Sequence, residues 1–292
     1  MMIVKISGGL GNQMLQYVYG RYLSKKYREK IYYDIEWYKN QKKNLYLRNF
    51  ELLKFDIDIK IAKGKKHLLK YNKIKKFIYL LKGLLFFDKN TFVLVYDSRN
   101  TLFGSLLSKF SSLLSIIFKN SYHIGNWLDF KYYEYVSNEV EFKLNSNELL
   151  INKKIKNKIL RTNAVSIGVR RGDYVKLGVA CDIDYYKKAI NLINMKVYNP
   201  TYYIFSDDIE WCKKNISIST KHFFVEQNKE ISFENMELMS LCKHNIISNS
   251  TYDWWGAMLN KTKQRIVISP KFWMPDDVKI RVNLIPNEWI KI

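Results

Sequence analysis

The segment AVSIGVRRGD, residues 164–173, is the most informative part of the sequence for the fold class. Its first six residues, Ala164–Val169, are small or apolar and stop at two adjacent arginines, which is typical of a buried strand that delivers polar residues to one edge of a sheet. Helical spacing follows over Tyr185–Met195, and a second apolar run follows over Thr201–Phe205. Strands that alternate with helices predict a parallel sheet covered on both faces.

The same alternation extends in both directions from this stretch. Towards the C-terminus it predicts strands and helices in turn over His222–Val225, Glu234–Lys243, Asn245–Ile247, Tyr252–Asn260 and Arg265–Ser269. Towards the N-terminus it predicts a strand over Met2–Ser7, a glycine turn, a helix over Met14–Lys30 and a strand over Ile31–Asp34. We therefore expect an α/β protein of two domains, residues 1–150 and 151–292, which meet in the polar segment 135–163.

Composition excludes several classes of protein. Of the 292 residues, 47% are hydrophobic and 26% are charged, which is ordinary for a globular protein and wrong for a disordered one. The three cysteines and four histidines are scattered, so they provide neither zinc-ligand spacing nor a disulfide framework. We expect no signal peptide before the first strand, no metal site, and a reducing, cytoplasmic compartment.

The net charge of +22 favours an anionic partner. Lysines concentrate in residues 60–82, where they predict either a helix resting on an anionic membrane or a solvated helical face. The apolar segment Leu102–Phe118 predicts an amphipathic helix, buried in the core or lying on a membrane surface, that is too short to cross a bilayer. A basic nucleic-acid-binding protein is an alternative, although no helix-turn-helix, zinc or RNP motif supports it.

Three polar motifs follow predicted strands of the second half, at the edge of a parallel sheet where ligands bind. Arg170–Asp173 contains the only adjacent arginines, and guanidinium groups bind phosphate oxygens in pairs; the alternative is an ion pair with Asp173. Ser248–Thr251 precedes a helix and presents free N–H groups to an anion, or it only caps that helix. Ser206–Asp208, which includes Asp207, follows another strand, where its carboxylates bind a ribose or base edge or cap a helix.

These motifs together resemble a known family. GGLGNQM (8–14), VRRGDY (169–174), FSDD (205–208) and ISNSTYDWWGA (247–257) look like the bacterial α-1,2-fucosyltransferases, glycosyltransferase family 11. The resemblance implies a GT-B fold, with two Rossmann-like domains whose parallel sheets face a cleft. It also implies inverting transfer of L-fucose from GDP-fucose, without a metal, to a galactoside of an O-antigen or another surface glycan. A lipid-linked acceptor would place the enzyme at the inner membrane face.

The resemblance also implies roles for individual residues. Arg170 would bind the β-phosphate of GDP. The other donor-binding residues would be Arg171, Asn249, Ser250 and Thr251 at the diphosphate, Asp207 near the guanosine, and Asn12 and Gln13 at the phosphate and fucose from across the cleft. Asp173 and Asp34 are candidates for the general base; the alternatives are that Asp173 only orients the arginines and that Asp34 only caps a helix. The family usually has histidine where this chain has Gly168, which leaves open a different GDP-sugar or linkage.

Overall fold

The computed structural model describes residues 1–41, 47–62, 93–97, 120–143, 152–226, 232–274 and 282–292. The chain divides into two compact units: Met1–Asn145 with Lys279–Leu284, and Ser146–Val278 with Ile285–Ile292. This differs from the expected division because the segment Lys279–Leu284 lies with the first unit. There the backbone N–H of Phe130 donates to Asn283 O, and Asn283 N–H donates to Leu128 O.

The first unit contains a four-stranded parallel sheet in the order β2-β1-β4-β3. Its strands are β1 (Met2–Lys5), β2 (Ile31–Asp34), β3 (Val93–Tyr96) and β4 (Ser121–Ile124). The central strand β1 pairs with β2 and β4 and is buried at Ile3 and Val4. The sequence pattern did not predict β3 and β4, which are only four residues long each.

Helix α1 (Leu10–Tyr27) follows β1 and begins four residues earlier than the apolar spacing predicts. Gly8 has φ of +81°, a conformation that side chains rarely adopt, and this turn leads directly into the helix. The N–H of Gln13 then donates to Gly9 O as the first helical bond, 3.1 Å long. Asn12 and Gln13 therefore lie in the first turn of α1 instead of in a loop. A short helix α2 (Phe130–Val136) completes the labelled elements of this unit.

The second unit contains a six-stranded parallel sheet in the order β10-β9-β8-β5-β6-β7. Its strands are β5 (Asn163–Val169), β6 (Pro200–Ser206), β7 (His222–Val225), β8 (His244–Ile246), β9 (Val267–Ser269) and β10 (Ile290–Lys291). Its helices are α3 (Lys153–Leu160), α4 (Gly172–Lys176), α5 (Ile183–Lys196), α6 (Ile209–Asn215), α7 (Ser232–Leu241) and α8 (Thr251–Met258). The predicted alternation of parallel strands and helices is confirmed.

Two apolar clusters cover this sheet. One joins β5 and β6 to α5 through residues such as Ile167, Ile190 and Ile204, which are at most 5% exposed. The other joins Tyr203 and Phe205 of β6 to α7. Because successive strand residues face opposite sides, a strand covered on both faces is mostly apolar, as β5 and β6 are; the buried hydroxyl of Ser166 in β5 accepts a hydrogen bond from the Asn245 amide.

Two sequence predictions lie outside the described residues. They are the amphipathic helix over Leu102–Phe118 and most of the lysine-rich segment 60–82. Among the residues that are described, no helix has the length and apolarity needed to span a bilayer.

Candidate functional site

The sheet register of the second unit brings the predicted motifs to one edge. Val169 pairs with Ser206, and Ile167 pairs with Ile246, so β5, β6 and β8 end close to one another. The residues that follow these three strands are Arg170, Asp207 and the turn before α8. This is the edge at which open α/β sheets bind their ligands.

Arg170 is held between two carboxylates. Its Nη1 lies 2.7 Å from Asp207 Oδ2, and its Nη2 lies 2.5 Å from Asp173 Oδ1. Burial alone would lower the pKa of Arg170, but Asp207 and Asp173 outweigh it and raise that pKa above its usual value. The ion pair with Asp173 that the sequence suggested as an alternative is therefore present. It orients the guanidinium group and does not by itself exclude phosphate binding.

Arg171 is fixed by one contact of its backbone and one contact of its side chain. Its N–H donates to Asp207 Oδ1 over 2.8 Å, and its guanidinium carbon lies 3.9 Å from the ring centroid of Trp211. A guanidinium group on an indole face is a cation–π contact, and Arg forms such contacts well because it is planar. Asp207 thus binds both arginines. The sequence did not single out Trp211.

Asp207 also explains the glycine after the arginine pair. A Cβ built on Gly172 would lie 2.6 Å from Asp207 Oδ2, closer than real Cβ contacts. Glycine at this position therefore lets the carboxylate reach both arginines. Asp208, the next residue, accepts from Trp211 N–H over 3.1 Å and caps α6, as the capping alternative predicted.

The turn before α8 is buried and hydrogen-bonded. Ser250 is the N-cap residue, and its Oγ accepts from Tyr252 N–H over 3.2 Å. The Asn249 amide donates to Val179 O and Trp273 O over 2.7 and 2.9 Å. With Asn249 only 3% exposed, this side chain fixes the turn, and a direct ligand contact by it would require those bonds to break. Thr251 begins the helix and is partly exposed.

The first unit has its own polar edge at the end of β1. Tyr38 Oη and Gln13 Nε2 both donate to Gly8 O, over 3.0 and 3.2 Å. Gln13 also donates to Asn49 O and accepts from Glu51 N–H, and it is fully buried. Its amide therefore fixes the glycine turn. Asn12, one residue earlier, is partly exposed and lies beside Gly8.

Asp34, one of the two candidate bases, ends β2 and is 7% exposed. Its Oδ1 accepts from Glu36 N–H over 2.8 Å, and its Oδ2 accepts from the hydroxyl of Tyr122. Asp34 thus accepts from the first residue of the one-turn helix Glu36–Lys39, although the N-cap residue of that helix is Ile35. Asp173 is the more accessible candidate, with a side chain 40% exposed, but its carboxylate is bonded to Arg170.

No cluster of three metal-ligating side chains occurs within the described part of the chain. Asp182, whose spacing with Asp184 resembles a metal-binding motif, caps α5 by accepting from Tyr185 N–H over 2.7 Å. Cys181, Cys212 and Cys242 are all free thiols.

Sequence reasoning missed Asp253. This residue lies in the first turn of α8 and is 6% exposed. Its Oδ2 accepts from both the N–H and the hydroxyl of Ser248, over 3.1 and 2.5 Å. Burial raises the pKa of Asp253 to about 6, although the bonds from Ser248 and the charge of Arg170 oppose that rise. A lone acidic residue in the otherwise neutral run SNSTYDWWGA was the available signal.

The architecture and the edge residues define a class. Two α/β units with parallel sheets, one of which carries a diarginine at the end of a central strand, form the GT-B-type fold of nucleotide-sugar glycosyltransferases. A GDP complex of a variant of Arabidopsis thaliana FUT1 has a similar fold, with a TM-score of 0.56 and 11% identity over 98% of this chain and 75% of that one. At this identity the likeness shows the fold alone.

The chain belongs to glycosyl transferase family 11, whose model matches residues 1–292. It is 30% identical to the O-antigen biosynthesis glycosyltransferase WbnK of Escherichia coli, over 98% of this chain and 99% of that protein. It is 31% identical to an alpha-1,2-colitosyltransferase of Escherichia coli, over 99% of this chain and 98% of that protein. The expected family and fold are confirmed, and membership favours an enzyme over a nucleic-acid-binding protein.

Proposed function

We propose that this glycosyltransferase transfers L-fucose from GDP-fucose, with inversion, in α-1,2 linkage to a galactoside during synthesis of an O-antigen or other surface glycan. The second unit would bind the GDP-sugar and the first unit the acceptor. The observation that carries the proposal is the placement of Arg170 at the end of β5, oriented by two carboxylates and beside the strand that leads into α8.

The chemistry needs positive charge at this edge. When the bond between sugar and diphosphate breaks, negative charge grows on the β-phosphate, and fixed donors aimed at that position lower the barrier selectively. Arg170 would supply a guanidinium fork, and the first N–H groups of α8 would supply the helix end. Arg171, stacked on Trp211, would add a second cation. This set of donors requires no metal ion.

Asp207 and Asp173 would orient Arg170 in this scheme. Each uses one carboxylate oxygen on a different guanidinium nitrogen, so the plane of the group is fixed before the phosphate arrives. Asp207 would also lie near the guanosine of the donor, as the family resemblance implies. Asp173 is the preferred general base, because it is the more exposed of these carboxylates.

A second donor has specific support. The 31% identity to an alpha-1,2-colitosyltransferase spans nearly both chains, and Gly168 replaces the histidine usual at that position. Colitosyl transfer would use the same diphosphate contacts and change only the sugar pocket. It is therefore the alternative to fucose.

The deciding experiment measures nucleotide release from a panel of GDP- and UDP-sugars, with galactosides as acceptors, and determines the linkage of each product. Release of GDP from GDP-fucose and a 1,2-linked product are expected. Preference for another GDP-sugar would move the assignment to that sugar, and preference for a UDP-sugar would refute it. Unchanged rates in EDTA are expected for a mechanism without a metal.

A lipid-linked acceptor at a membrane surface is proposed from the lysine-rich sequence 60–82 alone. Replacing four of those lysines by glutamine should reduce binding to anionic vesicles and leave turnover of a free galactoside unchanged. Equal vesicle binding by the variant and the original chain would refute the proposal.

A further inference from the structure

Asp253 lies at the same sheet edge as Arg170, yet no role described so far uses it. Both hydrogen bonds from Ser248 end on Oδ2 of Asp253, so they fix the carboxylate at the end of β8. A buried carboxylate is costly unless hydrogen bonds or charges compensate it. The bonds from Ser248 and the charge of Arg170 compensate this cost only in part, since the pKa of Asp253 remains raised, to about 6.

Gly168 makes the space for this carboxylate. Gly168 is the penultimate residue of β5, and a Cβ built on it would overlap both carboxylate oxygens of Asp253. Any other residue would push the carboxylate away and break its bonds to Ser248. The absence of a side chain at Gly168 and the presence of a carboxylate at position 253 are therefore one structural feature, which we call the Gly168–Asp253 pair.

The charged and titratable groups around Asp253 come from every neighbouring element. They are Arg170 after β5, Asp207 after β6, Tyr174 in α4, Cys181 before α5, and Tyr185 and Tyr186 in α5. Burial raises the pKa of Tyr174 to about 12 and that of Cys181 to about 11. Burial likewise raises the pKa of Tyr185 and Tyr186 well above the usual range, and Asp207 is bonded to Arg170.

We infer that Asp253 is a further residue of the donor site, and that its carboxylate takes up a proton from solvent when the donor's diphosphate binds at Arg170. This inference rests on the proposed function. Two more negative charges at the end of β5 disfavour the ionised form of a carboxylate that is already surrounded by protein. The proton goes to Oδ1, since Oδ2 accepts both bonds from Ser248, and those bonds are kept.

Proton uptake by Asp253 makes the affinity for the donor depend on pH. In the free protein the pKa of Asp253 is about 6, so at pH 8 the carboxylate is ionised. Donor binding raises that pKa further, and affinity is therefore highest below pH 6 and falls as the pH rises towards the pKa of the complex. The steepest possible fall is tenfold per pH unit, and we expect roughly tenfold between pH 6 and 8.

The test measures GDP-fucose binding without acceptor by isothermal titration calorimetry between pH 5.5 and 8.5. Each pH is repeated in two buffers of different ionisation enthalpy, which counts the protons taken up. GDP-fucose is used because both of its phosphates are esterified and do not titrate near pH 6. The original chain should take up a substantial fraction of a proton near pH 7, because the carboxylate is then mostly ionised in the free protein and mostly protonated in the complex. Asp253→Asn keeps an oxygen for Ser248 but cannot titrate, so it should bind without proton uptake and with an affinity independent of pH.

Asp184→Asn is the matched control, since it removes an exposed carboxylate from the same unit. It should retain the pH dependence of the original chain. Binding of GDP-fucose by the original chain without proton uptake would overturn the inference and leave the proposed function intact, as would proton uptake that persists in Asp253→Asn. Absence of any GDP-fucose binding would overturn the proposed donor and this inference together.

The close approach of Gly168 to the Asp253 carboxylate can be tested independently. Gly168→Ala should lower the melting temperature and weaken GDP-fucose binding, because the new methyl group displaces the carboxylate. The same substitution in an Asp253→Ser background should have a much smaller effect on the melting temperature, because serine is shorter. Equal effects in the two backgrounds would show that Gly168 and Asp253 are not coupled, and would overturn the inference.

Discussion

Arg170→Lys is the substitution that best separates charge from geometry at the proposed diphosphate site. In the structure two guanidinium nitrogens contact two different carboxylates, at 2.7 and 2.5 Å, and the side chain is only 21% exposed. An ammonium group has a single nitrogen on a flexible stem and cannot hold Asp207, Asp173 and a phosphate in one plane. The substitution keeps the charge and removes the fork.

The expected loss follows from that geometry. Removing one fixed donor to a developing oxyanion typically costs about 10²–10³ in rate, or about 2.7–4 kcal/mol of transition-state stabilisation. We therefore expect kcat/KM of Arg170→Lys to fall by about 10²–10³, mainly through kcat. The free energy of unfolding should fall by only about 1–2 kcal/mol, since lysine can retain one ion pair and the pair with exposed Asp173 contributes little.

The assay is GDP release from GDP-fucose at saturating galactoside, with the melting temperature measured in parallel. Arg161→Lys, the same change at an exposed position of the same unit, should leave both quantities unchanged. A kcat/KM of Arg170→Lys within threefold of the original value would refute the assignment of Arg170 to the diphosphate. A melting temperature tens of degrees lower would instead show that the ion pairs are structural.

Three further predictions concern other parts of the chain. Trp211→Leu removes the ring beneath Arg171 and should weaken GDP binding by about fivefold, or about 1 kcal/mol, in calorimetry; unchanged affinity would show that the stacked pair lies outside the site. Gly20→Ala places a Cβ 2.7 Å from the Tyr33 ring and should cost about 1–3 kcal/mol in urea unfolding, while a neutral result would mean that the ring moves freely. Burial lowers the pKa of His123 to about 3, so the unfolded chain binds the extra proton below pH 6.5; stability should fall by up to about 1.4 kcal/mol per pH unit from pH 6 downwards, and His123→Gln should reduce that slope.

The fold was largely predictable from sequence because β5 and β6 carry runs of mostly small or apolar residues that end at polar residues. Such a run indicates that a strand is buried on both faces. It can be recognised from a few consecutive residues, without knowledge of the rest of the fold. β3 and β4 were not predicted; they are four residues long, as are the predicted strands β1 and β2, so strand length alone does not explain the difference. The start of α1 at Leu10 was also missed, because Gly11 and Asn12 are residue types with low helix propensity.

The sequence predicted individual residues of the candidate site but not the contacts between them. The arginine pair was visible in the sequence, and its place at the end of β5 agrees with the prediction. The contact between Arg170 and Asp207 joins residues 37 positions apart, and no spacing rule specifies such a partner. The family resemblance places Gln13 at the donor, and no pattern in the sequence showed that its amide also bonds the glycine turn and the segment near Asn49.

The route of the last described residues has a consequence for how the protein is made. Asn283 pairs with Asp129 of the first unit, whereas Ile290 pairs with Ile268 on β9 of the second. Each unit therefore includes residues that are translated after the rest of the described chain. Fragments that stop near Val278 should leave β9 without its partner strand and residues 128–130 without their backbone bonds to Asn283, and co-translational folding assays should show that both units gain protease resistance late.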